Sequence, residues 1–149
     1  MARSGSFTRL TLRALDSVIA LLPNRDHEPE HLRTGRLGEE AAYFHLRGLG
    51  YVMVARNYRS PGSRSELDLV GWDRETLCFI EVKTRTTRDV KPAEAAVDFE
   101  KQRDLAQVAR EFLRRRQGSP PYRFDVVSVY FEPGRQPEIQ VFQNAFSIA

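Results

Sequence analysis

Apolar and polar positions in this chain follow two rhythms, one helical and one alternating, and the switches between them mark its elements. From Thr34 or Gly35 to about Arg47, Leu37, Ala41 and Phe44 recur on one side at helical spacing. Ala42, Leu46 and Leu49 widen that stripe, and Gly48 and Gly50 end it. Tyr51–Arg59 alternates weakly as a first strand, and Ser60-Pro61-Gly62-Ser63 is a turn. Glu66–Gly71 and Leu77–Lys83 are short strands joined by Trp72–Thr76, which is hairpin spacing, and Thr84–Asp89 is a polar loop. A second long helix starts at Ala93 or Asp98 and runs to Arg116, with Leu105, Val108, Ala109, Phe112 and Leu113 forming its apolar face. Gly118-Ser119-Pro120-Pro121 breaks it; strands over Phe124–Phe131 and Ile139–Phe142 follow, with a turn at Pro133-Gly134. The predicted order is helix, three strands, helix, two strands.

Residues 1–30 read separately, as an arm. Leu12, Leu15, Ile19 and Leu22 give Ser6–Leu22 a helical stripe that Pro23 stops, and a polar linker runs through Asn24–Glu30. Arg9 and Arg13 before a short apolar run raise the question of a signal peptide. Asp16 interrupts that run and no small-residue cleavage site follows cleanly, so an amphipathic accessory helix is expected instead.

Composition narrows the class. The chain has 149 residues, 41% hydrophobic and 29% charged, as in an ordinary packed domain. A single cysteine, Cys78, excludes an internal disulfide framework. No apolar stretch approaches the roughly 20 residues of a membrane span, so no membrane role is expected. The net charge of +3 permits a nucleic-acid partner without demanding one. Of 23 basic residues 20 are arginine, and the lysines are Lys83, Lys91 and Lys101. A genome that favours arginine codons accounts for most of that balance, and against it a lysine points more than usual to a place that requires an ammonium.

The chemistry concentrates in Glu66-Leu67-Asp68 and Glu81-Val82-Lys83. Residues two apart on a strand share a face, so Glu66 goes with Asp68, and Glu81 with Lys83. Leu67 and Leu69, with Cys78, Ile80 and Val82, would then form the supporting apolar face. A hairpin turn centred between Arg74 and Glu75 sets Asp68 opposite Glu81 and Glu66 opposite Lys83, with facing Cβ atoms about 5 Å apart. Two carboxylates that close repel unless a cation lies between them or one is protonated. Mg²⁺ or Mn²⁺ suits such an oxygen pair and keeps waters that a phosphate can replace. Lys83 beside it could orient the attacking water or neutralise charge developing on phosphorus. An exposed amphipathic hairpin with a surface ion pair would alternate in the same way. The apolar neighbours of Glu81 in Phe79-Ile80-Glu81-Val82 favour a central acid over a rim one, and a buried acid needs a partner.

Asp68, a twelve-residue gap and Glu81-Val82-Lys83 match the PD-(D/E)xK pattern of the restriction-endonuclease-like superfamily. More of the chain resembles the YraN family of bacterial proteins (uncharacterised protein family 0102). The resemblance is carried by Gly35-Arg36-Leu37-Gly38-Glu39-Glu40-Ala41-Ala42, Gly50-Tyr51, Arg56-Asn57-Tyr58-Arg59 and Glu66-Leu67-Asp68-Leu69-Val70. Phe79-Ile80-Glu81-Val82-Lys83-Thr84-Arg85, Lys101, Arg123-Phe124-Asp125-Val126-Val127 and Asn144-Ala145-Phe146 complete it, so residues from about 34 to 148 are covered. Ser65 departs from the family, which usually has glycine there. The resemblance implies an α/β, restriction-endonuclease-like core with a mixed central sheet flanked by helices, similar to archaeal Holliday-junction resolvases. Residues 31–149 would form this domain and residues 1–30 the additional arm. Asp68 and Glu81 look like metal ligands, Lys83 like the catalytic lysine, and Glu39 like the acid that a first helix adds.

The remaining candidates are weaker. Glu39 lies at the edge of the apolar helix stripe beside Ala42 and Leu46, whereas Glu40 groups with Arg36 and Arg47 on the polar face. Arg59, Arg85 and Lys101 are candidates for phosphate contact, with Glu66 and Gln102 in support; Arg56 and Arg88 lie near them in sequence. Lys101 could equally be a snorkelling lysine. His27, His31 and His45 lack ligand spacing, Cys78 reads as a core residue, and Trp72 falls in the hairpin turn. The expected function is a cytoplasmic endonuclease, dependent on Mg²⁺ or Mn²⁺, acting on DNA that is branched or otherwise structured. The rivals are a nucleic-acid-binding protein that keeps the scaffold without cleavage, and a small adaptor without salt-sensitive DNA affinity. The oligomeric state, a dimer included, is left open by the sequence.

Overall fold

The computed structural model describes residues 28–88 and 97–147. The expected arm helix and an Ala93 start for the second long helix fall outside those residues. Helix α1 (Glu30–Gly48) begins four residues before Thr34, with Glu30 in its first turn and His45 and Arg47 in its last, which suits the helix dipole. Gly50 takes a φ of 97° and closes the end: its N–H donates to Arg47 O, and Tyr51 N–H to Leu46 O. This paired bonding satisfies two carbonyls that the helix leaves open.

Strands β1 (Val52–Arg59), β2 (Glu66–Asp73) and β3 (Thr76–Arg85) follow, then helix α2 (Phe99–Arg114), β4 (Tyr122–Tyr130) and β5 (Glu138–Phe146). Asp98 caps α2 by accepting the Lys101 N–H at 2.9 Å, so of the two expected starts the later one holds. The helix stops at Arg114, two residues early. Trp72 is a strand residue paired with Leu77, since only Arg74 and Glu75 make the turn, and Arg74 takes a left-handed φ of 56°. Thr84 and Arg85, expected in a loop, extend β3 because β4 pairs with them.

The five strands form one sheet in chain order. Neighbours are antiparallel except β3 and β4, which are parallel, and α2 lies in the chain between those two. Alternation along β3 divides the core. Leu77 and Phe79 pack with Leu105, Val108 and Ala109 of α2, while Cys78, Ile80 and Val82 pack with Ala42 and Leu46 of α1. Each such large side chain stabilises the fold by roughly 1.5–3 kcal/mol. The result is a mixed sheet flanked by helices, the α/β order expected.

One expectation about faces fails. Leu67 joins the α2-side cluster together with Val70, whereas Leu69 joins the α1-side cluster. Residues three apart cannot share a face of a regular strand, so the alternation of β2 slips one step at Asp68. Among the described residues no helix is long and apolar enough to cross a membrane.

Candidate functional site

The β2–β3 ladder runs from Asp73 and Thr76 to Leu69 and Ile80, in the register centred between Arg74 and Glu75. One step beyond its last pair come Asp68 and Glu81, close enough that the Glu81 charge acts on the Asp68 carboxyl. The Asp68 side chain ends the ladder: its Oδ2 accepts the Val82 N–H at 2.7 Å, a bond that a backbone carbonyl would otherwise take. Asp68 is buried, and burial, then the Glu81 charge and more weakly Glu39, push its carboxyl up to about 8. The Val82 N–H and Lys101 act against that rise.

Glu81 is buried on the neighbouring strand. Its Oε1 accepts from Lys83 Nζ at 2.9 Å, and Lys101 Nζ lies 3.6 Å away. Its Oε2 is buried and has no hydrogen-bond partner. A lone pair left in that state costs free energy unless something else fills it. Lys83 reaches from the same strand and Lys101 from the first turn of α2, so two of the chain's three lysines meet on one oxygen.

Glu39 arrives from α1. Gly38 is buried, and a Cβ there would overlap the Thr84 side chain on β3, so only glycine lets the helix approach this closely. The Glu39 carboxylate accepts Asn57 Nδ2 at 3.0 Å. Among the described residues no three His, Cys, Asp or Glu side chains converge in metal-ligand fashion. The residues that could hold a divalent ion are therefore the pair Asp68 and Glu81, with Glu39 as a nearby third acid.

Other predicted residues lie apart. Glu66 pairs with Arg59 across β1 and β2, at 2.7 Å, and not with Lys83. The cause is the early end of the β2–β3 ladder, beyond which Lys83 turns to Glu81 on its own strand. Gln102 Nε2 donates to Val97 O at 2.9 Å, bracing the start of α2 instead of entering the site. Arg85 is half-buried at the end of β3, on the side of Lys83 by alternation. Arg88 lies over the Tyr130 ring, 4.2 Å from its centroid, and 3.1 Å from Glu138; Arg56 lies over Tyr43 at 4.7 Å. Trp72 sits under the Arg116 guanidinium, and Cys78 is a buried core residue as expected. Ser65 Oγ donates to Asp104 Oδ2 at 3.1 Å, so the departure from glycine ties the loop to α2.

Two features carry no signal in a single sequence. Asn57 adopts a left-handed φ of 47° inside β1. Arg123 gathers Asp73 (2.8 Å), Asp125 (2.9 Å) and the Tyr51 hydroxyl (3.0 Å), which also accepts Gln143 Nε2. Asp125 is buried and also accepts the Asn144 N–H.

The model of a family described as uncharacterised protein family UPF0102 matches residues 38–129, a span that contains Glu39, Asp68, Glu81, Lys83 and Lys101. A UPF0102 protein of Koribacter versatilis is 55% identical over 143 residues, covering 96% of both chains. One from Solibacter usitatus is 44% identical over 75% of this chain and 84% of its own. One from Chlorobium limicola is 37% identical over 78% of this chain and 88% of its own.

Proposed function

The chain belongs to the uncharacterised protein family UPF0102, and we propose that it is a divalent-metal-dependent endonuclease that hydrolyses phosphodiesters of structured DNA. The observation that carries this is Glu81: buried, unpartnered at Oε2 and close to an acid whose own carboxyl is pushed up to about 8. A purely structural ion pair would leave neither the idle oxygen nor the crowding. A hard cation relieves both, and Mg²⁺ asks for no more than one or two carboxylates alongside water and phosphate. The donor set therefore fits Mg²⁺ or Mn²⁺, held by Asp68 and Glu81 with the charge of Glu39 close by.

When bound, the ion supplies Lewis acidity at the scissile phosphoryl group. The residues of the chain do the rest. In hydrolysis water adds to phosphorus, one P–O ester bond breaks and a proton leaves the water. Lys83 Nζ, next to Glu81, orients that water or neutralises the equatorial oxygens as their charge grows. A compact ammonium suits this better than a planar guanidinium, which keeps its protons near neutral pH. Lys101 adds a second positive group, and Arg59 and Arg85 hold flanking phosphates, which makes affinity depend on salt. DNA as substrate and a single buried thiol suit the cytoplasm.

The test is the purified protein against branched, nicked and single-stranded DNAs with Mg²⁺ or Mn²⁺. Cleavage that needs the ion and disappears in Asp68→Asn is the expected result. Salt-sensitive binding in Ca²⁺ with no product on any of these DNAs would leave a nucleic-acid-binding protein on the same scaffold.

A further inference from the structure

Arg56 pairs with Leu69 and Tyr58 with Leu67, which leaves Asn57 facing Asp68 across the β1–β2 ladder. Its φ of 47° is foreign to a strand and costs a residue other than glycine free energy, least for asparagine. Such a conformation persists only where its surroundings hold it. The backbone consequence is visible on both sides of Asn57. Ala55 and Tyr58 pack on the same α2-side cluster although they are three apart, so β1 slips one step at Asn57 as β2 does at Asp68. The slip frees the Asn57 side chain from the strand's alternation. Its Nδ2 donates to Glu39 Oε2 at 3.0 Å, and a carboxylate, which only accepts, requires the amide nitrogen on that side.

From the strained backbone facing Asp68 and the bond to Glu39, we propose that Asn57 is a positioning residue that holds the Glu39 carboxylate toward the Asp68–Glu81 pair. This rests on the metal-dependent reading above. A free glutamate in the middle of a helix samples several rotamers, and one fixed donor selects among them. Partners of this kind, which orient a carboxylate without themselves touching the ion, typically change metal affinity by roughly 10- to 100-fold when removed.

The experiment is a double-mutant cycle read by Mn²⁺ titration calorimetry without DNA. Asn57→Gly relieves the backbone, so its unfolding midpoint should equal or exceed that of the parent. Its Mn²⁺ affinity should fall roughly 10- to 100-fold. In a Glu39→Ala background the same replacement should change affinity less than twofold, because the group that Asn57 positions is gone. Asn57→Ser, whose hydroxyl is too short to take the place of the amide, is read in the same cycle should the glycine variant fold poorly. Parent-like Mn²⁺ affinity in Asn57→Gly, or an equal loss in the Glu39→Ala background, would overturn the positioning role and leave the metal site standing. A parent protein that binds no Mn²⁺, or binds it equally well as Asp68→Asn, would overturn both.

Discussion

The Asp68 carboxylate holds the Val82 N–H at 2.7 Å where the ladder between their strands ends. That bond keeps Asp68 buried near Glu81, and burial and the like charge raise its carboxyl from the ordinary value of 3.8 to about 8. A carboxyl raised on folding favours the folded state fully below 3.8, and this contribution is lost as pH rises to about 8. Asp68→Asn keeps an oxygen for Val82 and removes the charge. In EDTA its unfolding temperature should therefore climb relative to the parent between about pH 4 and pH 8 and level off above. Scanning fluorimetry across that range checks this, and a flat difference would point to a compensated structural pair.

Lys83 distinguishes cleavage from binding. Its ammonium lies 2.9 Å from Glu81, so Lys83→Ala should lower the cleavage rate by about 10² or more while DNA affinity in Ca²⁺ falls modestly. Loss of one phosphate contact lowers the salt slope by about one unit. Lys83→Arg keeps the charge and should still lose cleavage. Parent-like rates for the arginine variant would reduce Lys83 to a phosphate anchor.

Much of this arrangement is legible in the sequence. Hairpin register follows from turn position and strand periodicity, both local, so the pairing from Asp73 and Thr76 to Leu69 and Ile80 can be read directly, and with it that Asp68 and Glu81 come next. Periodicity also carries the expectation that Leu67 and Leu69 share a face, and there it fails, because β2 slips one step at Asp68, across the ladder from the left-handed Asn57. The expected pairing of Glu66 with Lys83 fails for a related reason: where a ladder stops is decided by a side chain, Asp68, that takes the place of a backbone acceptor. The bond between Glu39 and Asn57 and those from Arg123 to Asp73 and Tyr51 join residues 18 to 72 positions apart, and no local pattern reports such distances.

Gly38 sets how far α1 descends on β3. A methyl group there meets Thr84, whose branched side chain on a paired strand cannot swing aside. Gly38→Ala should therefore cost about 1–3 kcal/mol by overpacking, despite the better helix propensity of alanine. The helix can escape only by lifting, which withdraws Glu39, so Mn²⁺ affinity should fall together with stability. Gly38→Ala combined with Thr84→Ala should restore much of both.

The Arg123 cluster should govern stability and leave the chemistry alone. Arg123 lies between Asp125 and Asp73, and Asp125 is buried with the Asn144 N–H as its other donor. Arg123→Met leaves that carboxylate buried without a counter-charge, a loss of about 3–5 kcal/mol. Asp125→Asn should cost less, since Arg123 keeps Asp73 and the Tyr51 hydroxyl, and an amide oxygen can still accept from Asn144. Cys78 offers a direct readout: burial, then Asp125, push its thiol up to about 12, so native protein should resist thiol reagents. Labelling of Cys78 in increasing urea should thus begin earliest for Arg123→Met, later for Asp125→Asn and last for the parent. Below its transition the Arg123→Met variant should bind Mn²⁺ like the parent, because the cluster's hydrogen bonds and ion pairs run among Arg123, Asp73, Asp125, Tyr51, Gln143 and Asn144 and not to Asp68, Glu81 or Glu39. A parallel loss of Mn²⁺ affinity would show that the cluster shapes the site through the sheet.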